Sequence, residues 1–182
     1  MHPDIETILF TEEEIAARAK ELGTEITERY KDVEPYSIVL VGMMRGTVML
    51  FADLARAIDL PIELDYMAVS SYGLGATSSG VVTIEKDMTS SPEGRHVIIA
   101  EDVIETGLTL SHVIDHLKSR GAKSVEVVAM FSKKEKRIAE IENAHIGFEC
   151  PDEFLVGYGL DYAQHYRNLP YLGALKREVY EK

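Results

Sequence analysis

VIIAEDVIETGLTL (residues 97–110) runs from four apolar or small residues straight into two adjacent acids, then a third acid, then a Thr-Gly-Leu-Thr turn. The opening half is a short continuous apolar run, the pattern of a strand covered on both faces. Ligands of an open parallel sheet bind beyond the carboxyl ends of its strands. A strand ending at Ala100 therefore delivers Glu101 and Asp102 to that rim. Thr106, Gly107, Leu108 and Thr109 then turn into a helix: glycine permits a positive φ and close approach, the hydroxyls donate, and the helix start leaves N–H groups free. That combination is a cradle for phosphate. The acids would repel a bare phosphate, but they suit a ligand that also carries hydroxyls or Mg²⁺. A sugar phosphate with a metal satisfies both halves; the plainer reading is that the acids cap the following helix.

The flanking segments repeat the order strand–helix–strand. SIVLVG (37–42) is another apolar run ending at glycine, and GTVMLFADLARAI (46–58) resumes a helical pattern. IELDYMAVSSY (62–72) and VVTIEKD (81–87) read as strands on either side of the Gly/Ser/Thr-rich GLGATSSG (73–80). RHVIIAED (95–102) and SVEVVAMF (124–131) are further strands, separated by a helix, LTLSHVIDHLKSRG (108–121), closed by glycine. Upstream, Thr11 before Glu12-Glu13-Glu14 is a helix start, and Ile15, Ala19, Leu22 and Ile26 carry the helix to about Lys31. This order predicts an α/β domain with a mostly parallel central sheet flanked by helices. AHIGFECPDEFLVGYGLDYAQHYRNLPYLGAL (144–175) mixes short strands, turn residues and aromatics. It is expected to form a small subdomain over one edge of the sheet.

The 182 residues suit one domain. A formal net charge of −12 argues against a broad electrostatic grip on nucleic acid or an anionic membrane. The start, MHPDIETILF, lacks the pattern of a signal peptide, and no stretch approaches the roughly 18 apolar residues of a membrane span. Cys150 is the single cysteine, so an internal disulfide is impossible. These features predict a soluble cytoplasmic protein. His112 and His116 have an i, i+4 spacing that can hold zinc, but no third ligand accompanies them and they read as surface residues. KKEKR (133–137) reads as a solvated turn.

The run VIIAEDVIETGLTL resembles the phosphoribosyl-pyrophosphate (PRPP) signature of the type I phosphoribosyltransferases, and further segments resemble hypoxanthine (hypoxanthine-guanine) phosphoribosyltransferases along nearly the whole chain. The resemblance implies one phosphoribosyltransferase domain over residues 1–182, with a small hood built by the N-terminal segment and residues 144–182. It implies purine salvage: transfer of phosphoribosyl from PRPP to N9 of hypoxanthine, and of guanine, giving the nucleoside monophosphate and pyrophosphate. Glu101 and Asp102 would hold the ribose hydroxyls and Mg²⁺, and Thr106, Gly107, Leu108 and Thr109 the 5′-phosphate. VGMMRG (41–46) resembles the first pyrophosphate loop, with Arg45 and Gly46 at pyrophosphate and a cis bond between Met44 and Arg45. SSYGLGATSSG (70–80) resembles the mobile loop whose Ser71 and Tyr72 close over the reacting centre. In AMFSKK (129–134), Lys133 would bond the purine O6, with Lys134 as the alternative. CPDEFLVGYGLDYAQHYR (150–167) resembles the base end: Phe154 stacks on the purine, and the Leu155 backbone meets the base edge. In the same run Asp161 approaches a second Mg²⁺ through water, and Arg167 binds pyrophosphate.

Two positions depart from the family pattern. Glu105, the candidate general acid/base near purine N7, stands where the family has aspartate, and Arg45 where it usually has lysine. Glutamate keeps the chemistry with an extra methylene; arginine keeps the charge with a different geometry. The resemblance also implies a homodimer or homotetramer. Competing readings are a xanthine- or guanine-preferring enzyme, and a non-catalytic RNA-binding regulator of the same fold, against which the negative charge weighs.

Overall fold

The computed structural model describes residues 1–72 and 81–181. Six strands form the main sheet: β2 (Ile38–Met44), β3 (Ile62–Tyr72), β4 (Val81–Lys86), β5 (His96–Ile104), β6 (Ser124–Ser132) and β7 (Ala144–Glu149). Their order is β4-β3-β2-β5-β6-β7, all parallel except the β3–β4 pair. A second sheet, ordered β1-β9-β8, joins β1 (Ile5–Phe10), β8 (Leu155–Val156) and β9 (Leu172–Leu175) in antiparallel pairs. This smaller sheet is the hood.

The continuous apolar runs are continuous because both faces of the main sheet are covered. Leu40, Ile98, Ala100 and Val128 point to one cluster, with α1 (Glu12–Tyr30) and α2 (Val48–Ala57). Val39, Val41, Val97, Ile99 and Val127 point to the other, with α3 (Leu108–Ser119). Helix α1 starts with a reciprocal cap in which Thr11 Oγ1 accepts from Glu14 N and Glu14 Oε2 accepts from Thr11 N. It then buries Ile15, Ala19, Leu22, Ile26 and Tyr30 on one stripe, each large apolar side chain contributing about 1.5–3 kcal/mol relative to exposure. Gly23 on that stripe admits α2, because a Cβ there would overlap Ala57.

From β2 the chain moves outward to β3 and β4; from β5 it moves the other way, to β6 and β7. The loops leaving β2 and β5 therefore diverge, which opens the crevice where such sheets bind ligands.

Residues 144–149, expected in the hood, form β7 and pair in parallel with β6. The hood is correspondingly smaller. All but the last residue of β7 are half-buried, so the strand lacks the unbroken apolar run of its neighbours. The strand carrying the paired acids also runs longer than expected, to Ile104. Ile104 is buried, and the extra residues pair only with β6; pairing with β2 stops at Ala100. Glu101 and Asp102 thus sit in a strand open on the β2 side alone.

Candidate active site

The two acids are half-buried near the end of β5, with Asp102 on the wall of the crevice. Burial, and then the charge of Asp102, holds the Glu101 carboxyl well above its ordinary range. Burial also raises Asp102, opposed by the Val103 N–H and by the charge of Arg167. Asp102 Oδ1 accepts from Val103 N at 2.8 Å, while its Oδ2 faces Gly46 so closely that a Cβ at Gly46 would overlap it. The peptide bond preceding this approach, Met44–Arg45, is cis, at the place the resemblance assigned it.

After β5 the chain turns through Gly107, whose φ of 80° and proximity to Ala139 O leave no room for a side chain. Gly107 is the N-cap of α3 and offers no side-chain cap, so the first N–H groups of α3 stay available. Leu108 N is partly engaged by Thr106 Oγ1 at 3.3 Å. Leu108 and Thr109 form the first positions of the helix proper.

At the other end of the crevice a cavity of about 920 Å³ is lined by Asp102, Glu105, Lys133, Phe154, Leu155 and Asp161, among others. Six of the expected site residues thus share one wall system. Lys133 is buried and donates to Glu105 Oε1 at 2.7 Å and to Glu153 O at 2.9 Å. Lys134, the alternative, is exposed at the start of a 3₁₀ turn. Phe154 is stacked against Tyr180 of the short C-terminal helix α4 (Arg177–Tyr180), with ring centroids 4.8 Å apart. Asp161 Oδ1 pairs with Arg167 Nη2 at 2.7 Å.

A model of the phosphoribosyl transferase domain matches residues 7–163. The chain belongs to the phosphoribosyl transferase family. It is 49% identical to the hypoxanthine-guanine phosphoribosyltransferase of Bacillus subtilis (strain 168), over all of this chain and 99% of that one. A crystal structure of Staphylococcus aureus hypoxanthine phosphoribosyltransferase superposes with a TM-score of 0.93 at 46% identity, covering 100% of this chain and 97% of that one. A Trypanosoma cruzi hypoxanthine phosphoribosyl transferase, studied for the role of its C-terminal region in oligomeric state and activity, superposes with a TM-score of 0.92 at 38% identity, covering 99% and 96%.

Some side chains around the crevice, Arg137 and Gln164 among them, carried no signal in the sequence. The turn KKEKR is solvated only in part: Lys134, Glu135 and Lys136 are exposed, but Lys133 is buried and Arg137 donates to Glu105 O and Ser132 Oγ at 3.1 and 3.0 Å. Ile138 N and Ala139 N both donate to Thr106 O at 2.9 Å, so this turn is fastened to the loop that leads into α3. Its charge pattern gave no hint that the guanidinium turns inward onto backbone carbonyls. Lys136 bridges Asp152 at 2.9 Å and lies 3.9 Å from Glu105, adding charge at the cavity rim. Gln164 accepts from both Arg45 and Arg167. His116, read as a surface residue, is half-buried and bonded to Asp87 at 2.7 Å, away from the crevice. Ser71 and Tyr72 close β3, but their side chains, and loop 73–80, lie outside the described residues.

Proposed function

We propose that this chain transfers the phosphoribosyl group of PRPP to N9 of the 6-oxopurines hypoxanthine and guanine. The observation that supports the reading is the junction at Asp102: the free N–H groups of the α3 start on one side, a cavity of about 920 Å³ with a lysine, a carboxylate and an aromatic ring on the other, and Gly46 pressed against it.

In this mechanism the α3 N-terminus with Thr106, Gly107, Leu108 and Thr109 binds the 5′-phosphate, and Glu101 and Asp102 accept from the ribose hydroxyls. Phe154 supports the purine face, Lys133 donates to O6, and the Leu155 backbone meets the base edge. Arg45, Gly46 and Arg167 hold pyrophosphate. Glu105 takes the proton from N7, which concentrates the lone pair on N9. The C1′–oxygen bond breaks with its electron pair leaving on pyrophosphate, and N9 bonds to C1′. Ser71 and Tyr72 exclude water from the reacting centre.

Among the described residues no cluster of three or more His, Cys, Asp or Glu could hold a metal by itself. Two carboxylates plus substrate phosphates are nonetheless the usual setting for Mg²⁺, and the acid pair, costly to ionise where it lies, suits a cation brought by the substrate. Glu101 and Asp102 would hold that ion, with Asp161 reaching a second through water; bound Mg²⁺ neutralises the leaving pyrophosphate. No helix of the described residues is long and apolar enough to cross a membrane, and we place the enzyme in the cytoplasm as a homodimer or homotetramer. The exposed apolar side chains of Leu64 and Tyr66 on β3 and of Val48 at the start of α2 support self-association.

A spectrophotometric assay with PRPP and Mg²⁺ against hypoxanthine, guanine, xanthine and adenine tests the proposal. Turnover of hypoxanthine and guanine is expected; silence with all four bases overturns it.

A further inference from the structure

The hood loop 161–167, which brings Asp161 to the cavity wall, has a costly conformation. Ala163, Gln164 and Tyr166 have φ of 49°, 69° and 72°, a region that residues with a side chain rarely occupy. The loop aims one side chain. Gln164 Oε1 accepts from Arg45 Nη1 at 3.3 Å and from Arg167 Nη2 at 3.1 Å, so a single amide oxygen joins a guanidinium of the pyrophosphate loop to one of the hood. The loop is fastened at three further points: Asp161 Oδ2 accepts from Gln164 N at 2.8 Å, Asp161 Oδ1 pairs with Arg167, and Arg167 Nη1 donates to Gly159 O at 2.6 Å. Gly159 lies on the Gly46 carbonyl so closely that a Cβ there would overlap it.

From this arrangement we propose that Gln164 is a positioning residue that aligns Arg45 and Arg167 as a paired cationic clamp for the pyrophosphate group. The inference rests on the proposed transferase function. Two guanidinium groups repel, and an exposed arginine samples many rotamers; a shared acceptor offsets the first and restricts the second. A neutral amide does so without cancelling either charge, where a carboxylate would consume part of the attraction for the anion. The need is specific to this chain: a guanidinium binds an anion through a planar fork whose orientation matters, whereas an ammonium is a point charge.

The test is Gln164→Met, which keeps the length and the backbone demand but removes the acceptor, in the wild-type and Arg45→Met backgrounds. Gln164 is exposed, so the variant is expected to fold. Pyrophosphate with Mg²⁺ is titrated calorimetrically, and KM is measured for PRPP and hypoxanthine. The expected result is about a tenfold rise in pyrophosphate Kd and in KM for PRPP, with KM for hypoxanthine within twofold. In the Arg45→Met background the same change should cost less, because half its purpose is gone. The inference is overturned if pyrophosphate Kd stays within twofold of wild type, if both KM values rise together, or if the two substitutions are fully additive. Wild-type protein that binds pyrophosphate but turns over no purine would count against the transferase reading and leave the clamp decided by the titration alone.

Discussion

Lys133 Nζ lies 2.7 Å from Glu105 Oε1, but the two side chains stand in unlike surroundings, 7% and 42% exposed. The lysine expected to meet the purine and the acid expected to take its proton are each other's partner before any base arrives. The asymmetry sets what happens when either is lost. Glu105 can hydrate if Lys133 is removed, so Lys133→Met should cost little stability while raising KM for hypoxanthine. Glu105→Ala instead strands a buried ammonium with one carbonyl. Breaking a fully buried pair costs about 3–5 kcal/mol, and the exposure of Glu105 reduces this to about 1–2 kcal/mol. Denaturant unfolding of the two variants checks the order; equal losses would show that the pair contributes nothing beyond its packing.

Gly46 separates a steric demand from an electrostatic one. A Cβ at this position enters the Asp102 carboxylate, which is itself held by Val103 N, while the Gly46 carbonyl is pressed by Gly159. Gly46→Ala must therefore shift either the acid or the loop. Displacements of about 1 Å at a reacting centre cost on the order of a hundredfold in rate, and kcat/KM for PRPP is expected to fall by about that factor with thermal stability reduced only slightly. A variant retaining more than a tenth of wild-type kcat/KM would mean that the loop yields freely.

What the sequence shows of this molecule follows from how local each cause is. SIVLVG and VIIA read as strands because burial on both faces leaves uninterrupted apolar runs, whereas β3 carries charged residues among its apolar ones and leaves Leu64 and Tyr66 exposed; Gly107 reads as a turn because its left-handed backbone excludes other residues. AHIGFE, half-buried at a sheet edge except for its exposed last residue, carries no such run, and its sequence does not separate it from the hood segment that follows. The acids and the turn through Gly107 lie in one contiguous segment and are singled out by residue chemistry alone; Lys133, Phe154, Asp161 and Arg167 are singled out only by family resemblance. Arg137 and Gln164 were not legible at all. What each does depends on carbonyls, or on arginines, that the chain brings near only after folding.

The paired acids make the ligand-free protein sensitive to pH in an unusual direction. Folding raises the carboxyl of Glu101, through burial and the nearby Asp102. An acid with a raised folded pKa stabilises the native state below its unfolded value, roughly pH 4, and that contribution is lost as pH climbs through the raised value. Glu101→Gln removes the dependence. The variant should melt above the wild type near neutral pH, by about 2–4 °C for each kcal/mol relieved, and the two should converge in acid. PRPP with Mg²⁺ should stabilise the wild type and have less effect on the variant. Parallel melting curves across the range would show that the pair is relaxed by water.

Tyr180 bears on the base through Phe154. Its ring stacks on Phe154 with planes 25° apart, and Tyr162 meets the same ring at 89° with centroids 5.4 Å apart, so two tyrosines restrain the side chain proposed to support the purine. Such aromatic pairs contribute about 0.5–1.5 kcal/mol beyond area burial. If Tyr180 backs Phe154 from the side away from the base, Tyr180→Ala lets the ring turn, and KM for hypoxanthine rises about two- to tenfold. KM for PRPP should hold, since the residues proposed to hold PRPP, Arg167 of the hood included, are not the ring that Tyr180 stacks on, and Tyr180→Phe should restore the wild-type value because the stacking needs no hydroxyl. A fall in KM for hypoxanthine on Tyr180→Ala would reverse the geometry: the tyrosine would then occupy the face the purine needs, and α4 would have to move aside before each turnover.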